Sequence, residues 1–296
     1  MIQLDEDWKA WLRIHAQRRT PAPTLIQAMT SAGFDSATAT YLVTQTLMPG
    51  AEKAIPVPAN PVIPPYPLSK DAGGYRNDVV PIAVGNRIDV GDRIVEVGMR
   101  IDKPCVITFH NVLSDAECAE VIARSLPRLK PSTTVNPETG KSDSSDARTS
   151  EGTFFKRCEE DFLVPIEERV ARLLNWPLEN GEGFSILRYG IGDEYRPHFD
   201  YFPPEHPGSQ KRMAIGGQRV STLIIYLNDV EQGGETHFPD AGIAVTPRKG
   251  SAVYFQYCNA AGQIDPLTRH AGKPVIAGEK WIMTKWMRQR RFGLES

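Results

Sequence analysis

Short apolar runs, many of them alternating with polar residues, fill the second half of the chain. The clearest are residues 183–189, Gly-Phe-Ser-Ile-Leu-Arg-Tyr, and residues 221–227, Ser-Thr-Leu-Ile-Ile-Tyr-Leu. A period of two, with many aromatic and β-branched residues, predicts strands, and the Gly and Pro positions between the runs predict turns. This half of the chain is therefore predicted to form a mostly antiparallel barrel of two sheets.

A helical period appears upstream of these strands. The segment Ser114-Asp-Ala-Glu117 is a capping box, which predicts a helix from Asp115 to about Ser125. Helices followed by a run of strands indicate an α+β protein with helices packed outside the barrel. A second amphipathic helix is predicted over 159–176, where one face carries Phe162, Ile166, Val170 and Leu173.

Residues 1–50 have a helical pattern of their own. Trp8, Trp11 and Leu12 fall on one helical face, and two more short helices follow, the last over Ser36–Met48. Such a small core is marginal alone, so we expect this N-terminal helical domain to dock on the main domain or on a partner protein.

The next segment is rich in proline. Residues 51–75 are too rich in proline for a helix or a central strand and predict an extended, semi-rigid linker. The predicted domains are therefore residues 1–50, the linker 51–75 and a main domain over 76–296. Within the main domain, the polar stretch 133–150 predicts a long mobile loop.

Composition excludes several classes of protein. The 296 residues carry a net charge of −2, which gives no signal for binding nucleic acid. No apolar stretch reaches the length of a membrane span, and the acidic N-terminus lacks the apolar region of a signal peptide, so we expect a cytoplasmic protein. The four cysteines show no C-x-x-C spacing, which fits free thiols.

A candidate metal site follows the strand predicted over 183–189. Side chains two apart on a strand share one face, so His198 and Asp200 in Tyr195-Arg-Pro-His-Phe-Asp are expected to point the same way. They would supply two ligands of a 2-His-1-carboxylate site for non-haem Fe(II). The candidates for the third ligand are His206, His237 and His270. Spacing alone favours His270 only slightly, because strands predicted after it could return to the site.

Several further motifs occur in a fixed order along the main domain. They combine arginine, tyrosine, threonine and lysine positions with the histidine and aspartate positions above. The motifs are Arg148-Thr-Ser150, Tyr189-x5-Tyr195-x2-His198-x-Asp200, Arg219-x-Ser-Thr222, Tyr226-Leu-Asn228, Gly233-Gly-Glu-Thr236, His270-x9-Lys280-Trp281 and Lys285-Trp286.

This order resembles the prolyl 4-hydroxylase family of Fe(II)/2-oxoglutarate dioxygenases, over about residues 105–286. The resemblance implies a double-stranded β-helix (jelly-roll) fold, with His198, Asp200 and His270 as the iron ligands. It also implies that Lys280 binds the distal carboxylate of 2-oxoglutarate. The hydrogen-bond donors that it implies for this cosubstrate are Tyr189, Thr236 and Tyr226.

The resemblance further implies the reaction and its cofactors. Fe(II), 2-oxoglutarate and O₂ are expected, with ascorbate (vitamin C) as the reductant and succinate and CO₂ as products. The predicted function is hydroxylation of an unactivated C–H bond of an amino-acid residue, peptidyl proline first. The candidate substrate-binding residues are Arg148, Tyr195, Arg219, Arg269 and Trp286.

Arg269 departs from the family pattern, which usually has an apolar residue just before the distal histidine. A guanidinium at this position could bind a carboxylate, which would favour a free or carrier-bound amino acid as substrate. It could equally point outward, since neighbours in a strand face opposite ways. Two alternatives of other classes are a catalytically inactive binding module and a zinc hydrolase with the same three ligands.

Overall fold

A computed structural model describes residues 8, 11–12, 22–32, 34, 36–47, 75–76, 78, 80–135, 142–144 and 147–293. None of the helices in this part of the chain is long and apolar enough to cross a bilayer. The α-helices are Ala22–Ser31, Ser36–Leu47, Asp115–Ser125, Val164–Leu174 and Pro207–Ala214.

The strands are short in the main, and most lie after residue 150. In chain order they are β1 (Arg87–Asp89), β2 (Ile94–Ile101), β3 (Cys105–His110), β4 (Lys130–Pro131), β5 (Thr133–Val135), β6 (Ser142–Ser144), β7 (Glu151–Phe155), β8 (Phe184–Tyr189), β9 (Tyr195–His198), β10 (Arg219–Tyr226), β11 (Gln232–Gly233), β12 (Thr236–Phe238), β13 (Ile243–Val245), β14 (Ala252–Gln256), β15 (His270–Gly272), β16 (Val275–Ala277) and β17 (Lys280–Arg288).

The N-terminal helices lie where the sequence predicts them. Leu25 and Met29 of the first described helix and Val43 of the second are buried in one cluster with Leu12. Trp8 packs edge-on against Phe34, with ring centroids 5.0 Å apart. Residues 48–74, which contain nearly all of the predicted linker, lie outside the described residues, so the domain boundaries remain predictions.

Two antiparallel sheets form the body of the chain after residue 86. One has nine strands in the order β1-β2-β3-β14-β10-β17-β8-β7-β4, and the other has four in the order β13-β12-β15-β9. The predicted mixture of helices with antiparallel sheets is therefore confirmed. Side chains of the two sheets meet in the core, where Phe238 of β12 packs edge-on against Phe255 of β14 with ring centroids 5.2 Å apart.

The capping box is present as predicted. The Ser114 hydroxyl accepts the backbone N–H of Glu117 at 3.2 Å, and the Glu117 carboxylate accepts the N–H of Ser114 at 2.7 Å. Each bond satisfies a backbone donor that the first helical turn leaves unpaired. The helix accordingly begins at Asp115 and ends at Ser125.

The second predicted helix is shorter than expected. A 3₁₀ turn occupies Asp161–Leu163, and the α-helix covers Val164–Leu174 instead of 159–176. It stops because Asn175 takes a left-handed conformation, with φ of 46°.

The prediction of one long loop over 133–150 was wrong in part. Strands β5 and β6 pair antiparallel within it, and Arg148 forms an isolated bridge with Tyr195. Polar composition concealed the pairing, because polar strands give no apolar alternation to detect.

Candidate metal and cosubstrate site

The side chains of His198, Asp200 and His270 converge between the two sheets. One ligand atom from each lies within 4.8 Å of the others, and this is the one such group among the described residues; His206 and His237 do not belong to it. His198 and His270 are register partners across β9 and β15, with ring centroids 4.3 Å apart. The cross-strand pair therefore brings together two histidines that are 72 positions apart in the chain.

Asp200 reaches this point by a route that differs from the prediction. Strand β9 ends at His198, and Asp200 lies in the bend that follows, so the two residues do not share a strand face. The carboxylate nevertheless faces both imidazoles. His198 Nε2 lies 3.6 Å from Asp200 Oδ1, and His270 Nε2 lies 3.7 Å from Oδ2.

Each histidine is oriented by a backbone carbonyl. His198 Nδ1 lies 2.9 Å from the Arg196 oxygen, and His270 Nδ1 lies 3.0 Å from the Thr268 oxygen. A carbonyl oxygen only accepts hydrogen bonds, so in both rings Nδ1 carries the hydrogen and Nε2 presents its lone pair. Metal-bound histidines are typically oriented in this way.

Charge and burial suit the three groups to bind a divalent cation. Burial by itself would raise the pKa of Asp200, but interactions with His270 and His198 and the charge of Arg219 outweigh it and hold that pKa well below its ordinary value. Burial and then repulsion by His198 lower the pKa of His270 to about 4. At neutral pH the site thus offers a carboxylate and a neutral imidazole, the protonation states that ligate metals.

Lys280 lies near this cluster as a buried cation. Its side chain is 2% exposed and forms no ion pair or hydrogen bond with the described residues. Its ammonium lies 5.4 Å from the ring centroid of Tyr189 and 5.9 Å from that of Tyr226. Burial lowers the pKa of Lys280 to about 8, while the charge of Glu235 acts in the opposite direction.

Two glycines leave space around this ammonium. A Cβ atom at Gly272 would lie 3.8 Å from Lys280 Nζ, and a Cβ atom at Gly234 would lie 3.3 Å from Lys280 Cδ. Gly234 has φ of 69°, a conformation that also favours glycine. A buried ammonium with no ion pair among the described residues is a candidate to bind an anion from outside the chain.

The other residues predicted for the cosubstrate are close to Lys280. Tyr189 faces Lys280 in the register of β8 with β17, and it is buried. The Tyr226 hydroxyl donates to Thr236 Oγ1 at 2.8 Å. The Thr236 hydroxyl hydrogen therefore remains available for an acceptor such as a carboxylate.

Of the predicted substrate residues, Tyr195 and Arg148 adjoin the metal cluster. The Tyr195 ring stacks on His198, with centroids 3.5 Å apart. Arg148 lies over the Tyr195 ring, with its guanidinium carbon 5.0 Å from the ring centroid. These two side chains are thus packed next to one edge of the candidate site.

Arg219 and Trp286 form a layer behind Asp200. Arg219 donates two hydrogen bonds to Glu182, at 2.7 and 2.9 Å, and one to the Asp200 carbonyl at 3.3 Å. Its guanidinium carbon lies 3.9 Å from the Trp286 ring centroid. The Arg219 guanidinium therefore donates its hydrogen bonds to groups of this chain.

Arg269 is directed away from the cluster. Its guanidinium forms a two-point ion pair with Asp240, at 2.7 and 2.6 Å, and both side chains are more than a third exposed. The outward orientation is the expected result for the strand neighbour of His270.

Sequence reasoning assigned no role to three residues that adjoin Asp200. The Thr222 hydroxyl donates to Asp200 Oδ2 at 2.7 Å. The Tyr257 hydroxyl lies 3.2 Å from Thr222 Oγ1. The Glu182 carboxylate forms an ion pair with Arg219. Thr222 was detectable, since it shares a face of β10 with Tyr226, four residues on; Tyr257 and Glu182 have no comparable signal.

Comparison with known proteins identifies the family. A profile of the 2OG-Fe(II) oxygenase superfamily matches residues 184–288. Prolyl 4-hydroxylase 1 of Arabidopsis thaliana is 43% identical over 202 residues, which cover 63% of this chain and 70% of the relative. Prolyl 4-hydroxylase 5 of the same plant is 37% identical over 221 residues, covering 68% and 74%.

A solved structure is also similar. The viral collagen prolyl hydroxylase of Paramecium Bursaria Chlorella virus-1, in its 2OG complex, is 28% identical, with a TM-score of 0.49, over 62% of this chain and 95% of the viral one. From the sequence relatives, the chain belongs to the 2OG-Fe(II) oxygenase superfamily and, within it, to the prolyl 4-hydroxylase family. The resemblance noted in the sequence is thereby confirmed.

Proposed function

We propose that this protein is an Fe(II)- and 2-oxoglutarate-dependent dioxygenase that hydroxylates prolyl residues of a peptide. The observation that carries the proposal is the pairing of two features in one site. A cluster of two histidines and one aspartate lies beside a buried lysine that forms no ion pair with the residues described. The family's sheet architecture, a double-stranded β-helix, is proposed for the nine- and four-stranded sheets.

The residues of the cluster fit iron. His198 and His270 present Nε2, and Asp200 presents an ionised carboxylate, the 2-His-1-carboxylate set typical of non-haem Fe(II) oxygenases. When bound, the metal with 2-oxoglutarate and O₂ supplies the oxidising power to hydroxylate a C–H bond, with succinate and CO₂ as the other products. Ascorbate is proposed as the reductant on the family resemblance alone.

The lysine pocket fits the cosubstrate. A dicarboxylate would give the Lys280 ammonium the anion that the described chain does not provide, and would remove the cost of a buried unpaired charge. Thr236 and Tyr189 adjoin the same lysine with hydroxyl groups that can donate to a carboxylate, and Tyr226 orients the Thr236 hydroxyl by donating to it. A zinc hydrolase would have no use for such a cation, so this pocket argues for the oxygenase.

Peptidyl proline is the favoured substrate for two reasons. Relatives that share 37% to 43% identity are named prolyl 4-hydroxylases. In addition, the guanidinium of Arg269 is paired with Asp240, which removes the observation that favoured a free amino acid. Tyr195 and Arg148, packed beside His198, are proposed to contact the peptide.

The test is product formation from matched peptides. The purified protein is supplied anaerobically with Fe(II), then with 2-oxoglutarate, ascorbate and air, and is offered a proline-rich peptide, its alanine-for-proline counterpart, or free proline. We expect succinate release and a mass gain of one oxygen, located on proline, with the first peptide alone. Turnover of free proline but of neither peptide would contradict the proposed substrate.

Variants of the metal ligands provide the control. His198→Ala and Asp200→Ala each remove one ligand, and we expect them to lower turnover by more than the roughly 10–100-fold typical for losing a partner outside the ligand set. Unchanged succinate release in either variant would contradict the metal assignment. A wild-type protein that bound Fe(II) but never consumed 2-oxoglutarate would instead support the inactive binding module.

A further inference from the structure

The carboxylate of Asp200, which follows strand β9, is positioned by contacts with strand β10. Strand β9 ends two residues earlier, so no ladder hydrogen bond fixes the bend in which Asp200 lies. Its fixed contacts come from β10, where Thr222 donates to Oδ2 at 2.7 Å and Arg219 donates to the backbone carbonyl at 3.3 Å. The position of this ligand therefore depends on β10.

The hydrogen bonds around Thr222 have a definite direction. Asp200 is an ionised carboxylate and can only accept, so the single hydroxyl hydrogen of Thr222 is donated to it. The Tyr257 hydroxyl, 3.2 Å from Thr222 Oγ1, must then be the donor to Thr222. Thr222 and Tyr257 are both buried, so water does not compete for either bond.

The second carboxylate oxygen of Asp200 remains available. Oδ1 accepts no hydrogen bond from the described residues and lies 3.6 Å from His198 Nε2. With Oδ2 held by Thr222, the carboxylate keeps one oxygen facing each histidine, Oδ1 toward His198 and Oδ2 toward His270. Buried Glu182 and Arg219 fix the backbone behind it.

We propose that Thr222, supported by Tyr257, is a positioning residue for the metal centre, holding the Asp200 carboxylate where it faces both His198 and His270. The inference rests on the proposed function, because it assumes that the cluster of His198, Asp200 and His270 binds Fe(II). Thr222 contacts neither metal nor substrate, and acts through Asp200.

The test uses Mn(II) as an air-stable probe, with its affinity measured by electron paramagnetic resonance of the free ion. Thr222→Val keeps the shape of the side chain and removes the hydroxyl, and we expect a Kd for Mn(II) about 10–100-fold above wild type. Thr222→Ser keeps the hydroxyl and should stay near wild type. Tyr257→Phe removes only the outer donor and should show a smaller increase.

Ser221→Ala is the matched control. Ser221 is the buried neighbour of Thr222 on β10 and faces the opposite side of the sheet. We expect it to leave the Kd for Mn(II) unchanged, with a melting temperature of the metal-free protein lowered at least as much as in Thr222→Val.

Two results would overturn the inference. One is a Thr222→Val variant that binds Mn(II) as tightly as wild type, and the other is an equal loss of affinity in Ser221→Ala. Neither result depends on substrate turnover. If wild type binds Mn(II) but turns over no 2-oxoglutarate, the proposed function fails while the affinities still decide the role of Thr222.

Discussion

Strand β17 carries two buried lysines on its opposite faces, and their surroundings differ. Lys280 is 2% exposed, lies in the interior between the sheets and forms no ion pair with the part of the chain that the structure describes, whereas Lys285, at 3% exposed, is paired with Glu167 of the Val164–Leu174 helix. Five positions apart, the two side chains point to opposite sides of the sheet. One cation is neutralised by the chain and the other is left for a ligand.

On the proposed function, the difference separates a structural lysine, Lys285, from one that binds the cosubstrate, Lys280. Burial lowers the pKa of Lys285 and raises the pKa of Glu167, while their mutual attraction opposes both shifts. This pair attaches the helix to the outer face of the nine-stranded sheet. For Lys280 burial also lowers the pKa and the charge of Glu235 opposes this shift, but no carboxylate of the described residues forms an ion pair with the ammonium. A buried charge without a partner is costly, and such sites are candidates for function.

Breaking the paired lysine should have the largest effect. Lys285→Met leaves the Glu167 carboxylate buried without its cation, and we expect a loss of about 3–5 kcal/mol in the free energy of unfolding. Urea titration followed by circular dichroism measures this loss. The affinity for 2-oxoglutarate should not change. A Lys285→Met/Glu167→Leu double variant should recover the stability, and its failure to do so would contradict the pair's structural role.

Removing the unpaired lysine should affect binding instead of stability. Lys280→Met should raise the Kd for 2-oxoglutarate about 100-fold, within the range of about 2–5 kcal/mol typical of truncating one member of a buried charge pair. Calorimetric titration of the Mn(II)-loaded protein measures this Kd. The ligand-free variant should melt no lower than wild type, since no ion pair is broken. A stability loss like that of Lys285→Met would contradict the distinction.

The pH dependence of cosubstrate binding sharpens the comparison. Lys280 is protonated below its pKa of about 8 and neutral above it. The Kd for 2-oxoglutarate should therefore be flat from pH 6.5 to 7.5 and rise about tenfold per pH unit once pH exceeds 8. Lys280→Arg, which stays charged, should bind more weakly but without this rise. An equal rise in the arginine variant would assign the titration to another group.

The smallest effect is expected at the exposed ion pair. Arg269→Gln removes the partner of Asp240 at a solvent-exposed position, where ion pairs contribute little. We expect kcat/KM for a proline-rich peptide to change by less than about twofold, and Asp240→Asn to behave alike. A selective loss of activity on acidic peptides in Arg269→Gln alone would return Arg269 to the substrate site.

Local signals in the sequence predicted individual elements well. The capping box at Ser114 located one helix start, because its two hydrogen bonds involve only residues three apart. Alternation located β8, and a continuous run of apolar and β-branched residues located β10, which is buried on both faces. The hairpin of β5 and β6 was missed because its strands are polar and show no apolar alternation.

Motif spacing identified the ligand types and their family, but not how they are held. His198, Asp200, His270 and Lys280 were named from the sequence, and the structure brings the first three together. That Asp200 lies beyond the end of its strand, and depends on Thr222, could not be read from the sequence, since that contact joins residues 22 positions apart.

By itself, then, the sequence indicated most of the helices and strands, the family and the residue types of the site, because periodicity is local and the family's motifs occur in a fixed order along the chain. Only the tertiary structure decided that Arg269 turns outward to Asp240, that Lys285 has an anionic partner and that Lys280 forms no ion pair with any described residue. The physical reason is that the energy of a buried charge depends on which distant segment packs against it.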